Sequence, residues 1–205
     1  MLETEICQQA QKLADFIKTK KFEPVTQRTP YYHMGATITD SVLQAGLNYR
    51  HVVYPRVLKL LTKFPNYKTT CDFIILFQTI PLSELIKWNN EKKLKLIQNI
   101  SWLFFNNGIE NESQLAIWLT EGKNRQQLID LNGVGPKTID YLKMLSGNQS
   151  IAIDRHLFSF LRLAGILTNS YREASILYRR AAELLHMNEF ELDKKIWIYM
   201  SEIKA

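Results

Sequence analysis

The amino-acid sequence predicts an all-α protein built from many short helices. Apolar residues recur at helical spacing along most of the chain, whereas the alternation that marks a half-buried strand is almost absent. Prolines and glycines interrupt this spacing at short intervals, which favours short helices. Of the 205 residues, 46% are hydrophobic and 22% are charged, a balance that can close a core and excludes wholesale disorder.

The first predicted helix spans Leu2 to Lys20, where the apolar residues lie on one stripe. The stretch from Phe22 to Gly35 contains two prolines and the cluster Tyr31-Tyr32-His33, and we interpret it as a linker. The remaining helices are predicted from apolar spacing and from start and stop signals. They are Thr37–Leu47, Val53–Phe64, Cys71–Gln78, Leu82–Trp88, Glu91–Phe105, Glu112–Leu119, Asn124–Leu131, Pro136–Leu145, Arg155–Leu163, Tyr171–His186 and Phe190–Glu202.

Individual residues support several of these helices. Pro55 suits a first helical turn, where its missing N–H costs nothing. Ser170 and Glu173 have the spacing of a capping box. Three lysines of the Glu91–Phe105 helix are interpreted as a solvated face: Lys92, Lys93 and Lys95.

Charge and cysteine content limit the functions that the chain can have. Lys and Arg number 26 against 20 Asp and Glu, so the net charge of +6 favours an anionic partner, nucleic acid first. With only Cys7 and Cys71, the chain cannot supply a disulfide framework or a four-thiolate metal or iron–sulfur site. The four histidines lack metal-ligand spacing, so we expect no metal and no cofactor.

The sequence shows no targeting signal, because its start lacks a basic leader followed by an apolar run. The most apolar run, Phe73–Phe77, is far shorter than the roughly 20 residues of a membrane span. We therefore expect a cytoplasmic, nucleoid-associated protein with no membrane partner, and a monomer by default.

The most informative segment is Leu131–Thr138, which reads Leu-Asn-Gly-Val-Gly-Pro-Lys-Thr between two predicted helices. Gly133 and Gly135 can adopt backbone angles closed to other residues, and they leave their amides uncovered. Amides beside a helix N-terminus attract an anion, so a DNA phosphate fits there without any reading of base sequence. A tight helix–helix turn needs the same residues for geometry alone, and this alternative stays open.

A second segment, Ile151–Leu157, contains Asp154-Arg155-His156. Together the two segments resemble the helix–hairpin–helix base-excision DNA glycosylases, the superfamily that contains endonuclease III and the 8-oxoguanine glycosylases. Their hairpin reads Leu-Pro-Gly-Val-Gly-x-Lys-Thr-Ala, and Val-Asp-x-His follows about one helix later. Here the separation between Lys137 and Asp154 is 154 − 137 = 17 residues, and the Asp-Arg-His form is most similar to the small archaeal-type 8-oxoguanine glycosylases. The chain departs from the pattern with Asn132 in place of Pro, and it lacks the iron–sulfur loop of endonuclease III.

Lys137 and Asp154 are the candidate catalytic residues. Lys137 lies in the first turn of its predicted helix, where the dipole disfavours an ammonium, so a neutral amine could attack the sugar C1′. Asp154 precedes an amphipathic helix and could stabilise positive charge on the sugar as the base leaves. Each residue also has an ordinary structural alternative, which is a solvated lysine for Lys137 and a helix N-cap for Asp154.

Five other residues are weaker candidates. Gln44 ends an early helix, and in the resembling family a glutamine in this context reaches into the DNA stack; a plain helix-end glutamine is the alternative. Tyr49 and Arg50 combine an aromatic with a basic side chain, as a DNA contact would require. We expect His156 to brace the segment, and Arg155 is either solvated or in contact with a phosphate.

The resemblance implies two helical lobes with a central DNA-binding cleft. Residues 36–148 would form a six-helix barrel lobe with the helix–hairpin–helix motif, and residues 1–35 would join 149–205 in the other lobe. Lys137 and Asp154 would then face each other across the cleft. The implied function is a bifunctional DNA glycosylase and AP lyase that acts on double-stranded DNA containing a damaged, oxidised base or an abasic site. A non-catalytic helix–hairpin–helix DNA-binding protein is the alternative. A protein that only binds the DNA backbone, however, does not need the carboxylate of Asp154.

Overall fold

The computed structural model describes residues 3–25 and 29–203, and every regular element within them is helical. The prediction of an all-α protein is confirmed for these residues. Leu2, with which the first predicted helix starts, lies outside them. The α-helices are, in chain order, α1 (Glu3–Lys18), α2 (Met34–Leu43), α3 (Tyr54–Lys63), α4 (Thr70–Thr79), α5 (Leu82–Ile86), α6 (Glu91–Asn106), α7 (Glu112–Trp118), α8 (Gly122–Ile129), α9 (Pro136–Leu145), α10 (Arg155–Leu163), α11 (Tyr171–Leu184) and α12 (Glu189–Ile203).

The chain divides into two compact units. One combines residues 1–27 with 149–205, and the other consists of residues 28–148. In the first unit α1 packs against α11 and α10 packs against α12. In the second unit α2 packs against α3, α4, α6 and α9, so it is the central helix of that unit.

All ten residues of α2 are buried, which requires partners for its polar groups. Glu112 is one such partner, because its Oε1 accepts a hydrogen bond from the Thr37 hydroxyl at 2.7 Å. The same oxygen accepts the N–H of His33, the residue before α2, at 2.9 Å. Gly35 allows α4 to approach closely, since a Cβ at this position would lie 2.5 Å from Cδ2 of Phe73.

Helix α2 starts three residues earlier than the predicted Thr37 and ends four residues before the predicted Leu47. It starts early because Nδ1 of His33 accepts a hydrogen bond from the Ala36 N–H at 3.2 Å and caps the helix. Beyond α2, Gly46 has a φ of +80°, and the chain continues into a π-helical turn over Tyr49–Val53.

The first unit has a core built around Tyr178, which is fully buried. Its hydroxyl donates a hydrogen bond to the Leu157 carbonyl at 2.7 Å. Burial raises the pKa of Tyr178, and the nearby carboxylates of Asp193 and Asp154 raise it further. Asp193 also accepts a hydrogen bond from the Ala152 N–H at 2.9 Å, which fixes the extended segment that leads into α10.

Among the described residues, none of the helices combines the length and the apolar character needed to cross a membrane.

Candidate functional site

The turn between α8 and α9 presents two backbone donors. Within the turn, the Leu131 N–H donates to the Leu128 carbonyl and the Val134 N–H donates to the Leu131 carbonyl, both at 3.0 Å. The N–H groups of Gly133 and Gly135 donate no hydrogen bond to any residue that the structure describes. Gly133 is exposed and Gly135 is half-buried. Both amides are therefore suited to an external acceptor beside the N-terminus of α9.

The two glycines have different conformations. Gly133 has a φ of +99°, as predicted for a position that requires glycine, and a Cβ there would lie 3.2 Å from Cδ2 of Leu96. The same prediction is wrong for Gly135, which caps α9 with φ −123° and ψ 177°, an extended conformation open to any residue. What Gly135 contributes is space, because a Cβ there would meet nothing within 4 Å.

Lys137 is the second residue of α9 and is half-buried. This position lies at the positive end of the helix dipole, where an ammonium is disfavoured. A second lysine lies close to it: burial lowers the pKa of Lys93, and the positive charge of Lys137 lowers it further.

Lys93 belongs to α6, and its Nζ donates hydrogen bonds to the carbonyls of Val42 at 2.8 Å and Ala45 at 3.0 Å. The interpretation of this lysine as part of a solvated face was wrong, although Lys92 and Lys95 are exposed. The sequence contained a signal for this, because Lys93 is four residues before the buried Ile97 and shares its helical face.

A hydrogen-bonded group of three tyrosines surrounds Asp40 of α2, which is fully buried. Its Oδ2 accepts a hydrogen bond from the Tyr31 hydroxyl at 2.8 Å, and its Oδ1 accepts one from the Tyr141 hydroxyl at 3.2 Å. The hydroxyls of Tyr31 and Tyr49 are 3.2 Å apart. Tyr141 follows Lys137 by four residues, so the two share one face of α9. Sequence reasoning missed this group; the signal was Asp40, the one charged residue of helix α2.

Gln44 is the C-cap of α2, and its backbone N–H donates to the Asp40 carbonyl. Its half-buried side chain folds back, with Nε2 at 3.4 Å from the Ser41 carbonyl. It follows Val42, one of the two carbonyl partners of Lys93, by two residues. Its insertion into a DNA stack stays a prediction.

Asp154 is the N-cap of α10, as its position before an amphipathic helix predicted. Its Oδ1 accepts hydrogen bonds from the N–H groups of His156 at 2.8 Å and Leu157 at 3.1 Å. Its Oδ2 accepts none from the part of the chain that the structure describes. His156 is buried and packs edge-on against Trp197 with ring centroids 5.9 Å apart, whereas Arg155 is exposed.

The second unit thus contains Gly133, Gly135, Lys137 and Gln44, and Asp154 belongs to the first unit. Over residues 3–25 and 29–203, no group of three or more His, Cys, Asp or Glu side chains could hold a metal ion. The two cysteines are free thiols.

Residues 92–201, just over half of the chain, match a family described as a domain of unknown function (DUF8548). The matched segment includes Lys93, Lys137 and Asp154, and Gln44 precedes it. Neither the curated proteins nor the solved structures include a match to the chain.

Proposed function

Because this chain belongs to the family of the domain of unknown function (DUF8548), whose description states no activity, we propose a function from its residues. We propose that it is a bifunctional DNA glycosylase and AP lyase that acts as a monomer on double-stranded DNA. It excises a damaged base, of the oxidised class, and then nicks the strand by β-elimination. Lys137 is the nucleophile, Asp154 the catalytic carboxylate, and α8, the turn and α9 form the helix–hairpin–helix motif.

The observation that carries the proposal is the position of Lys137. It is half-buried in the first turn of α9, directly after a turn with two unbonded glycine amides. A neutral amine is required for attack on a sugar carbon, and the positive end of the helix dipole disfavours the protonated form at this position. A lysine in this position is therefore suited to nucleophilic catalysis.

Binding of the DNA backbone is assigned to the turn. The N–H groups of Gly133 and Gly135 are free to donate to a phosphate oxygen, and the space over Gly135 allows the phosphate to approach. Backbone contacts of this kind do not depend on base sequence, as an enzyme that searches DNA for damage requires. The net charge of +6 adds attraction to DNA of any sequence.

In the proposed reaction, the damaged nucleotide is first flipped out of the stack, at a cost of a few kcal/mol. The Lys137 amine attacks C1′ as the N-glycosidic bond breaks, and the base leaves with its bonding electrons and takes up a proton. Nζ then loses a proton and the sugar ring opens: the C1′–O4′ bond breaks, O4′ takes up a proton, and a Schiff base remains between Nζ and C1′. Loss of a proton from C2′ then expels the 3′ phosphate, and water releases the lysine. The Asp154 carboxylate stabilises the positive charge on the sugar and accepts protons through Oδ2.

Borohydride trapping tests this proposal, because it reduces the Schiff base to a stable amine. Duplexes containing 8-oxoguanine, thymine glycol, uracil or an abasic site are incubated with wild type, Lys137→Ala and Lys18→Ala. Lys18 is an exposed lysine of α1 whose ion pair is with Asp15 of the same helix, so it serves as the matched control. We expect a covalent adduct with wild type and Lys18→Ala and none with Lys137→Ala.

The duplex that reacts fastest identifies the lesion. Absence of an adduct on every duplex would contradict the lyase proposal. If DNA binding were then intact, base release would separate a monofunctional glycosylase from a non-catalytic DNA-binding protein.

A further inference from the structure

A group of basic side chains lies where the π-helical turn, α3 and the end of α5 meet. We call this group the basic ridge, and it consists of Arg50, Arg56, Lys59 and Lys87. The guanidinium of Arg56 joins the three elements, because it donates hydrogen bonds to the carbonyl of Val52 in the turn and, at 3.0 Å, to the carbonyl of Lys87 after α5. It also lies over the ring of Trp88, with Cζ 4.6 Å from the ring centroid. The turn and the segment after α5 therefore lie next to each other.

The positive charges of the basic ridge are held close together. Nζ of Lys59 donates a hydrogen bond to the Glu84 carbonyl at 2.9 Å. Burial lowers the pKa of Lys59, and the charge of Lys87 lowers it further, whereas the Glu84 carboxylate acts in the opposite direction. Glu84 is thus the acid that faces Lys59, and the ridge sets four basic residues against it. Positive charges crowded in this way favour an anion beside them.

Two members of the basic ridge, Arg50 and Lys87, have exposed side chains. Neither side chain donates a hydrogen bond to a residue that the structure describes, whereas Arg56 and Lys59 donate to backbone carbonyls. Arg50 and Lys87 are therefore the members that can reach a ligand. Arginine and lysine are also the side chains from which DNA phosphates commonly accept hydrogen bonds.

The basic ridge lies within reach of the turn between α8 and α9. Asn90, three residues after Lys87, is the N-cap of α6. Further along α6, Leu96 contacts that turn, because a Cβ on Gly133 would lie 3.2 Å from its Cδ2. A short extended segment followed by less than two helical turns spans at most about 20 Å between the Cα atoms of Lys87 and Leu96. At about 3.4 Å per base pair this is roughly six base pairs, so one duplex is long enough to reach both places.

We propose that the basic ridge is a second DNA-backbone site, in which Arg50 and Lys87 bind phosphates a few base pairs from the phosphate held by the turn between α8 and α9. This inference rests on the proposed function for the identity of the polyanion. Phosphate contacts position a protein on a duplex without reading its sequence. Contacts at two places also fix the direction in which the DNA crosses the unit of residues 28–148, which a single phosphate contact cannot do.

Substitutions at the two exposed residues test this site. Arg50→Gln removes the guanidinium charge. Lys87→Asn removes the ammonium and places a residue type that tolerates the left-handed conformation of this position, where φ is +50°. Lys68→Gln is the matched control: Lys68 is an exposed lysine whose carbonyl accepts the Met34 N–H at the N-terminal end of α2, whereas the π-helical turn follows the C-terminal end. Fluorescence anisotropy measures affinity for an undamaged duplex and for polyglutamate over a series of KCl concentrations, and melting temperatures confirm that each variant is folded.

For the duplex, we expect the plot of log affinity against log salt concentration to be about 0.9 shallower in each ridge variant and about 1.8 shallower in the double variant. Each lost phosphate contact removes that much counterion release, and Lys68→Gln keeps the wild-type slope. An unchanged slope in both ridge variants would overturn the inference and leave the ridge the structural role of holding the end of α5. A slope that changes for polyglutamate alone would also overturn it, in favour of an acidic protein partner. The measurement needs no reaction, so a wild-type protein that binds the duplex but forms no borohydride adduct contradicts the proposed enzyme while the slopes still decide the role of the ridge.

Discussion

Asp154 uses a single carboxylate oxygen to cap α10. Because Oδ1 accepts both the His156 and the Leu157 N–H, Oδ2 is left for another partner. The segment before it is fixed by the bond between Asp193 and the Ala152 N–H. The structural role of an N-cap and the proposed catalytic role can therefore coexist in one residue, and substitution can separate them.

We predict that Asp154→Asn retains the cap and loses the chemistry. Asparagine is as good an N-cap as aspartate, so the free energy of unfolding falls by less than about 1 kcal/mol, whereas Asp154→Ala loses about 1 kcal/mol or more. Without the carboxylate charge, excision slows by at least about 100-fold. Urea unfolding and single-turnover base release measure the two effects. An Asp154→Asn variant that excises at the wild-type rate would contradict the catalytic assignment.

At the scale of elements, the turn between α8 and α9 depends on its two glycines in different ways. Gly133 has a backbone conformation that disfavours a side chain, and Gly135 has an ordinary conformation with open space above it. A methyl group at Gly133 is therefore expected to reduce stability, whereas a methyl group at Gly135 is expected to fill the space above the turn.

Gly133→Ala is predicted to cost about 1–2 kcal/mol of folding free energy, because its φ of +99° is strained for any residue with a Cβ. Gly135→Ala should change the free energy of unfolding by less than about 1 kcal/mol, because Gly135 is an N-cap that forms no side-chain hydrogen bond for the substitution to remove. Its methyl group would nevertheless hinder the approach of a phosphate, so affinity for DNA falls by a similar factor for every sequence. Fluorescence anisotropy on several duplexes, with urea unfolding as the control, measures both. Wild-type affinity in Gly135→Ala would count against phosphate binding by this turn.

We predict that the stability of the protein depends on pH through His33, the N-cap of helix α2. Burial lowers the pKa of His33 below 6.5, although hydrogen bonding to Phe64 acts in the opposite direction. Between the folded-state pKa and 6.5 the unfolded chain binds more protons, so the free energy of unfolding rises with pH across that window. The contribution of His33 is complete above the unfolded-state pKa and is lost as the pH falls below it.

His33→Asn keeps a capping oxygen and removes the titration. Urea unfolding between pH 5 and 7.5 should show a wild-type advantage over His33→Asn that shrinks toward the acid end. His51→Asn, at an exposed histidine, is the matched control. An advantage that is constant over this range would show that His33 does not contribute to the pH dependence.

Local patterns in the sequence were sufficient to predict the bounds and caps of some helices and insufficient for others. The bounds of α9 and α10 are those predicted, because Pro136 and Asp154 mark their starts. The capping box at Ser170 is only half present: its hydroxyl caps the Glu173 N–H, but the Glu173 carboxylate accepts from Thr168. Here a nearby hydroxyl competes successfully for the carboxylate.

At the scale of the whole molecule, the all-α class followed from apolar periodicity, but contacts between distant residues did not. Asp40 joins Tyr31 to Tyr141, and Lys93 joins α6 to the end of α2. These contacts connect residues that lie up to 101 positions apart, so no local pattern contains them. The candidates Lys137 and Asp154 could be selected from the sequence, whereas the residues around Lys137 could be identified only from the folded structure.

The central claim is that Lys137 forms the covalent bond to DNA, and peptide mapping of the trapped adduct tests it most directly. The borohydride-reduced complex with an abasic-site duplex is digested with nuclease and protease, and mass spectrometry locates the lysine that carries the sugar remnant. We predict that the remnant is on Lys137 in wild type and in Lys18→Ala. A remnant on Lys93 or on any other lysine would contradict the assignment of the nucleophile.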